Sequence, residues 1–120
     1  MDAFGHVNNV TYLVYLEEAR ISLFENAQLG EMLGRGVVVA RNEIDYKRPL
    51  VHRSEPILVD IWVEDIRRRS WTFRYVIRDD DGAVYARAST VMVAWNVSTL
   101  ESRSLTDEEN RRLETMLDDA

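Results

Sequence analysis

A chain of 120 residues with 46% hydrophobic and 30% charged side chains suits one domain around one core, and its balance is globular rather than disordered or fibrous. Fifteen basic against twenty-one acidic residues leave a formal charge of −6, which disfavours a nucleic-acid partner because a polyanion calls for a net basic face. The absence of cysteine excludes disulfides, thiolate metal sites and thiol nucleophiles together. No apolar run approaches the ~20 residues of a membrane span, and the N-terminus lacks the basic and apolar regions of a signal peptide, so a cytoplasmic location is expected.

From Val10 to about Ala27 the residues are good helix formers without glycine or proline. Thr11, Glu18, Ser22 and Glu25 fall on one polar stripe, while Val10, Tyr12, Leu13, Val14, Tyr15, Leu16, Ala19, Leu23 and Phe24 cover most of the remaining circumference. Such a helix is expected to be wrapped on several sides. Asn8 or Asn9 can cap its start, and Gly30 and Gly34 break the pattern after it, with a single turn at Glu31-Met32-Leu33 between them.

After Gly36 the period turns from helical to alternating, and four strand-like runs follow, which makes the class α+β. The first runs from Val37 to Arg48 and stops before Pro49. In the second, Ile57, Val59, Ile61 and Val63 alternate with Leu58, Asp60, Trp62 and Glu64. In the third, Trp71, Phe73, Tyr75 and Ile77 alternate with Thr72, Arg74, Val76 and Arg78, ahead of the turn signal Asp79-Asp80-Asp81-Gly82. The fourth, Val84 to about Val97, puts Ala86, Ala88, Thr90 and Ala94 on one face with Val84 and Met92, small enough for the long helix to approach closely. Thr106 and Glu109 have the spacing of a capping box, so a short acidic helix is expected at the C-terminal end. There is no internal repeat or linker, and residues 1–120 are read as a single domain.

The string Asp2-Ala3-Phe4-Gly5-His6-Val7-Asn8-Asn9, with Tyr12, Glu17 or Glu18 and Ala19-Arg20 after it, resembles the N-terminal signature of the 4-hydroxybenzoyl-CoA thioesterase-like branch of the hotdog superfamily. Tyr46, Pro49-Leu50, Arg69-Ser70 and Asp81-Gly82 follow in the order that family shows, so the resemblance spans essentially the whole chain. It implies an antiparallel sheet around one long central helix, and hydrolysis of an acyl-CoA or acyl-carrier-protein thioester to a free acid and a thiol. It also implies that Asp2 acts as nucleophile or as base on water, and that the Asn9 backbone N–H meets the developing oxyanion at the positive end of the helix. Gly5 lets the loop turn tightly, and His6 has a supporting role in ordering it.

Arg67, Arg68, Arg69 and Ser70 form the densest cationic run, either a solvated face or a seat for the phosphates of coenzyme A. Alternation keeps all three arginines from facing the same way. No metal and no cofactor is expected, coenzyme A being part of the substrate. A serine-hydrolase elbow, a P-loop, a dinucleotide glycine motif and a histidine or cysteine cluster are all absent. Members of the resembled family carry a strand before the catalytic loop, so an N-terminal edge strand is expected to be missing here. The family also implies a homodimer or homotetramer in which the strand Val37–Arg48 pairs with its own copy. Two competing functions are a non-catalytic acyl-CoA-binding module and a hotdog hydratase, for which His6 with Glu17 is a poor acid–base pair.

Overall fold

The computed structural model describes residues 9–26, 29–47 and 57–117. Helix α1, Asn9–Asn26, starts and stops within a residue of the expected bounds. Tyr12, Leu16 and Phe24 are buried, and Tyr15, Ala19 and Leu23 are half-buried beside them. The rest of its apolar circumference is not covered within one chain, because Leu13, Val14 and Ile21 are exposed. A sheet touches one flank of a cylinder about 10 Å across, and the opposite flank stays open.

Helix α2 differs from expectation: it spans Gly30–Arg35 and runs through Gly34 rather than stopping between two breakers. Met32 is completely buried in the core, and that tertiary anchor outweighs the poor helix propensity of glycine. At Gly36 the chain turns into the sheet with φ +121°, and a Cβ there would lie 2.5 Å from the Trp95 carbonyl oxygen. Only glycine fits that approach.

The strands are β1 Val37–Tyr46, β2 Leu58–Glu64, β3 Ser70–Arg78, β4 Val84–Asn96 and the short β5 Glu101–Ser102. All pair antiparallel in the order β1-β4-β3-β2, with β5 on β4. Alternation holds on β3, where Trp71, Phe73, Tyr75 and Ile77 are buried and their neighbours are not. On β4 the small residues Ala86, Ala88, Thr90 and Ala94 are buried with Met92, as the pattern predicts. A register shift between Val39 and Arg41 interrupts the β1–β4 ladder. It preserves the inward face on both sides, setting Val39 opposite Met92 and Asn42 opposite Thr90.

The Asp79–Gly82 turn is organised by one carboxylate. Asp79 Oδ1 accepts the Asp81 and Ala83 N–H groups at 2.9 Å each, Oδ2 accepts the Tyr85 hydroxyl at 3.2 Å, and Gly82 takes φ +92°. The carboxylates of Asp79, Asp80 and Asp81 lie together, but the first serves the turn.

The long helix is pinned over the middle of the sheet by a polar chain. Arg20 Nη1 donates to the Tyr75 hydroxyl at 3.1 Å and to Thr90 Oγ1 at 3.4 Å; Tyr75 donates to Thr90 at 2.8 Å, and Thr90 to Asn42 Oδ1 at 2.7 Å. Burial raises the Tyr75 phenol pKa even though Thr90 and Arg20 hydrogen-bond to it. Helix ends fix the direction of packing: Tyr12 meets Tyr46 with ring centroids 5.0 Å apart, and Phe24 meets Phe73 at 5.8 Å.

The capping box at the start of α3, Asp107–Glu114, forms as expected. Sequence reading missed the larger role of Glu109, which is 1% exposed and holds three segments together. Its Oε2 accepts from Arg35 at 3.0 Å and from Arg103 at 3.0 Å; Oε1 accepts from Arg103 at 2.8 Å and from the Thr106 N–H at 2.8 Å. Arg103 continues to the Gly36 carbonyl at 3.2 Å, joining α3 to the α2–β1 corner. Beyond α3 the Val63 N–H donates to the Met116 carbonyl at 2.8 Å, and Leu117 bridges Val63 in parallel, so part of the free edge of β2 is covered.

Burial alone would raise the Glu109 carboxyl, but the bonds from Arg103, the Thr106 backbone and Arg35 outweigh it and hold it at about 2, below the ordinary 4.5. A depressed folded-state pKa stabilises fully above the unfolded value and loses that contribution as pH falls toward the folded one. Glu109→Gln is therefore expected to cost about 2–4 kcal/mol at neutral pH. In urea titrations its deficit relative to the parent should shrink between pH 4.5 and 2; a constant deficit would show that the charge is not what matters.

Candidate active site

Asn9 is the first residue of α1, so its backbone N–H belongs to the helix-terminal donors that lack an intrahelical acceptor. The first turn carries no acidic residue, which leaves the positive end of the helix dipole uncompensated by its own side chains. A developing oxyanion would be favoured there. Asp2, Gly5 and His6, the other residues assigned to this site from sequence, lie outside the described residues.

One turn into the helix, Tyr12 is 2% exposed, and its hydroxyl is buried without a hydrogen-bond partner among the described residues. Trp71 Nε1, toward the other end of the helix, is in the same condition. Tyr12 packs edge-on against Tyr15 and Tyr46. Burial, and then the neighbouring phenols of Tyr46, Tyr15 and Tyr85, push its pKa up to about 12, so the group stays a neutral donor at any working pH. The mouth of the helix is thus lined by phenols.

The arginine run lies in the β2–β3 loop. Arg67 Nε donates to Asp65 at 3.1 Å, Arg68 Nε to Ser104 Oγ at 3.3 Å, and Arg69 Nη1 to the Ser102 carbonyl and hydroxyl at 3.1 and 3.0 Å. The Arg67 N–H closes the loop on the Ser70 carbonyl at 2.8 Å. All three arginine side chains are exposed, and Ser70 is half-buried.

These two regions do not meet within one chain. Ser70 pairs with Val93, which pairs with Val38, whereas Tyr46 and Ala86 mark the other end of the sheet, under Tyr12. Val38 and Tyr46 are eight residues apart along β1, or about 25 Å at strand rise. An open depression of about 580 Å³ lined by Glu43, Asp45, Arg74, Arg87 and Ser89 lies along the β1–β4–β3 strands and includes none of the arginine run.

Comparison with known proteins decides the family. The model of the thioesterase-like superfamily matches residues 1–113. The chain belongs to that superfamily. It is 30% identical to the long-chain acyl-CoA thioesterase FadM of Escherichia coli (strain K12), over 98% of this chain and 91% of that one. The crystal structure of YbaW, a probable thioesterase from Escherichia coli, superposes with a TM-score of 0.84 at 30% identity, covering 98% of this chain and 91% of the other. A thioesterase from Thermus thermophilus, solved with coenzyme A and zinc, superposes with a TM-score of 0.83 at 28% identity, covering 97% and 85%.

The fold is the hotdog fold that the N-terminal signature implied, with its sheet curled over the long helix. Sequence reading named Arg20 only as part of the N-terminal signature and missed its bonds to Tyr75 and Thr90, although a cation on an otherwise apolar helix face was a legible signal. No helix among the described residues is long and apolar enough to cross a membrane.

A buried hydroxyl without a partner destabilises unless something bound satisfies it. Tyr12→Phe is expected to raise the stability of the ligand-free protein by about 1 kcal/mol, which thermal unfolding would show as a rise of ~4 °C. A fall would reveal a partner for the hydroxyl in the free protein.

Proposed function

We propose that this chain hydrolyses acyl-CoA thioesters, water adding to the carbonyl and the coenzyme leaving as its thiol. The observation that carries this reading is membership of the thioesterase-like superfamily along residues 1–113, together with likeness to a long-chain acyl-CoA thioesterase and to a thioesterase solved with coenzyme A. In this scheme Asp2 is the nucleophile or the base on water, Gly5 and His6 shape its loop, and the Asn9 N–H receives the oxyanion. Arg67, Arg68, Arg69 and Ser70 seat the phosphates. The reaction needs no cofactor, coenzyme A entering as part of the substrate, and the proposed compartment is the cytoplasm.

The separation of the two regions supports a site shared between subunits. β1 is the outer strand of the sheet path, and exposed edges are normally covered. If β1 pairs antiparallel with its own copy, the Val37 end of one subunit lies beside the Tyr46 end of the other. The arginines of one subunit then stand at the same end as Asn9 of its mate. A homodimer, or a tetramer built from it, is therefore part of the proposal.

A thiol-release assay across acyl-CoAs of different length and aromaticity tests the chemistry. Turnover of at least one substrate is expected, and Asp2→Asn should lower kcat at least ~100-fold with the fold intact. Full activity in that variant would remove Asp2 from the mechanism, and tight coenzyme A binding without turnover of any thioester would make the chain a binding module. Sharing of the site is tested by mixing Asp2→Asn with the double variant Arg68→Gln, Arg69→Gln at subsaturating substrate. Half the dimers are then mixed and one site of two is whole in each, so about one quarter of the parental activity should return. No recovery after verified subunit exchange would place both regions' functions within single chains.

A further inference from the structure

Two unfavourable features coincide on Leu100. It takes φ +58°, the left-handed region where a Cβ crowds the backbone and Gly or Asn is favoured. It is also 71% exposed, so no burial offsets that conformation. Val97, three residues earlier in the same turn, is 60% exposed. The turn itself is firmly built: Asn96 Oδ1 accepts the Ser98 and Thr99 N–H groups at 2.9 and 3.1 Å, and the Asn96 carbonyl accepts the Leu100 N–H at 2.8 Å. A single exposed aliphatic residue calls for no explanation. A strained one presented beside a second, on a rigid turn, does.

The turn adjoins the arginine run. Arg69 bonds to Ser102, two residues past Leu100, and Arg68 bonds to Ser104. Each guanidinium uses a single nitrogen in these contacts, leaving further donors for an anion. Of the nearby acids, Asp65 is engaged by Arg67 and Glu101 is exposed. Two aliphatic side chains are far too few for a protein interface of about 800 Å² per partner, but they match the face of one heteroaromatic base. An apolar platform beside planar cations fits an adenine nucleotide.

We propose that the Val97–Leu100 turn is the platform for the adenine of coenzyme A, with Arg68 and Arg69 on the adjoining phosphates. This rests on the reading of Arg67–Ser70 as the phosphate end of the substrate site. The turn then sets preference for a nucleotide-bearing thioester over the same acyl group on a carrier protein, whose prosthetic arm has no adenine.

The test compares binding of coenzyme A and of 4′-phosphopantetheine by calorimetry to the whole protein. Leu100→Asn keeps a residue that tolerates the backbone conformation, so its melting temperature should equal or exceed that of the parent. It should nevertheless weaken coenzyme A relative to 4′-phosphopantetheine about three- to tenfold. Val97→Thr, which leaves the strained position alone, should shift the ratio in the same direction. An unchanged ratio in both variants, while Arg68→Gln and Arg69→Gln still weaken coenzyme A, would overturn the platform and leave the phosphate reading standing. No effect from the arginine variants either would remove both. A change in sedimentation of Leu100→Asn at an unchanged ratio would assign the turn to contact between copies and overturn the proposal.

Discussion

A helix keeps one seat over a sheet only where its side chains are tied to the strands, and in this protein that tie is Arg20. From α1 it reaches Tyr75 on β3 and Thr90 on β4, and Thr90 shares its buried face with the small Ala86, Ala88 and Ala94. One turn further along the helix, Phe24 meets Trp71 and Phe73 edge to face. Removing the Thr90 hydroxyl would part this polar chain where it is buried. The same contacts, with Tyr12 on Tyr46 at the other end, set where α1 lies along the sheet and so where Asn9 stands relative to Tyr46.

Periodicity made most of this architecture legible. Alternation on β2, β3 and β4 marked the buried face correctly because burial on one side of a pleated strand leaves a period of two. The small-residue face of β4 is buried, as the same period predicts. Features decided by tertiary contact were harder to read. α2 persists across two glycines because Met32 is anchored in the core, and Glu109, legible as a cap, gains its arginine partners from segments 74 and 6 residues away in sequence.

The candidate site was legible in part. Asn9 opens the helix as expected, and Tyr12 and Leu16 belong to the core as expected. Spacing along the chain carried no information about which end of the sheet each region occupies. Arg67 through Ser70 stand at the far end of the ladder β1-β4-β3 from Tyr46. That distance turns a question about residues into one about symmetry. Leu100 was unreadable for a different reason: a leucine in a sequence gives no sign of its backbone angle.

The bridge from Val63 to Leu117 bears on the order in which the protein can be assembled during synthesis. β2 acquires its β3 neighbour about ten residues after its own end, but its outer edge at Val63 waits until Met116 and Leu117 have emerged, more than fifty residues later. The same late segment brings Glu109 to Arg35 and Arg103. Among the described residues, a nascent chain that has already folded its helix and main strands therefore carries a strand without an outer neighbour on each side of the sheet, and the segment that covers part of one of them emerges only late.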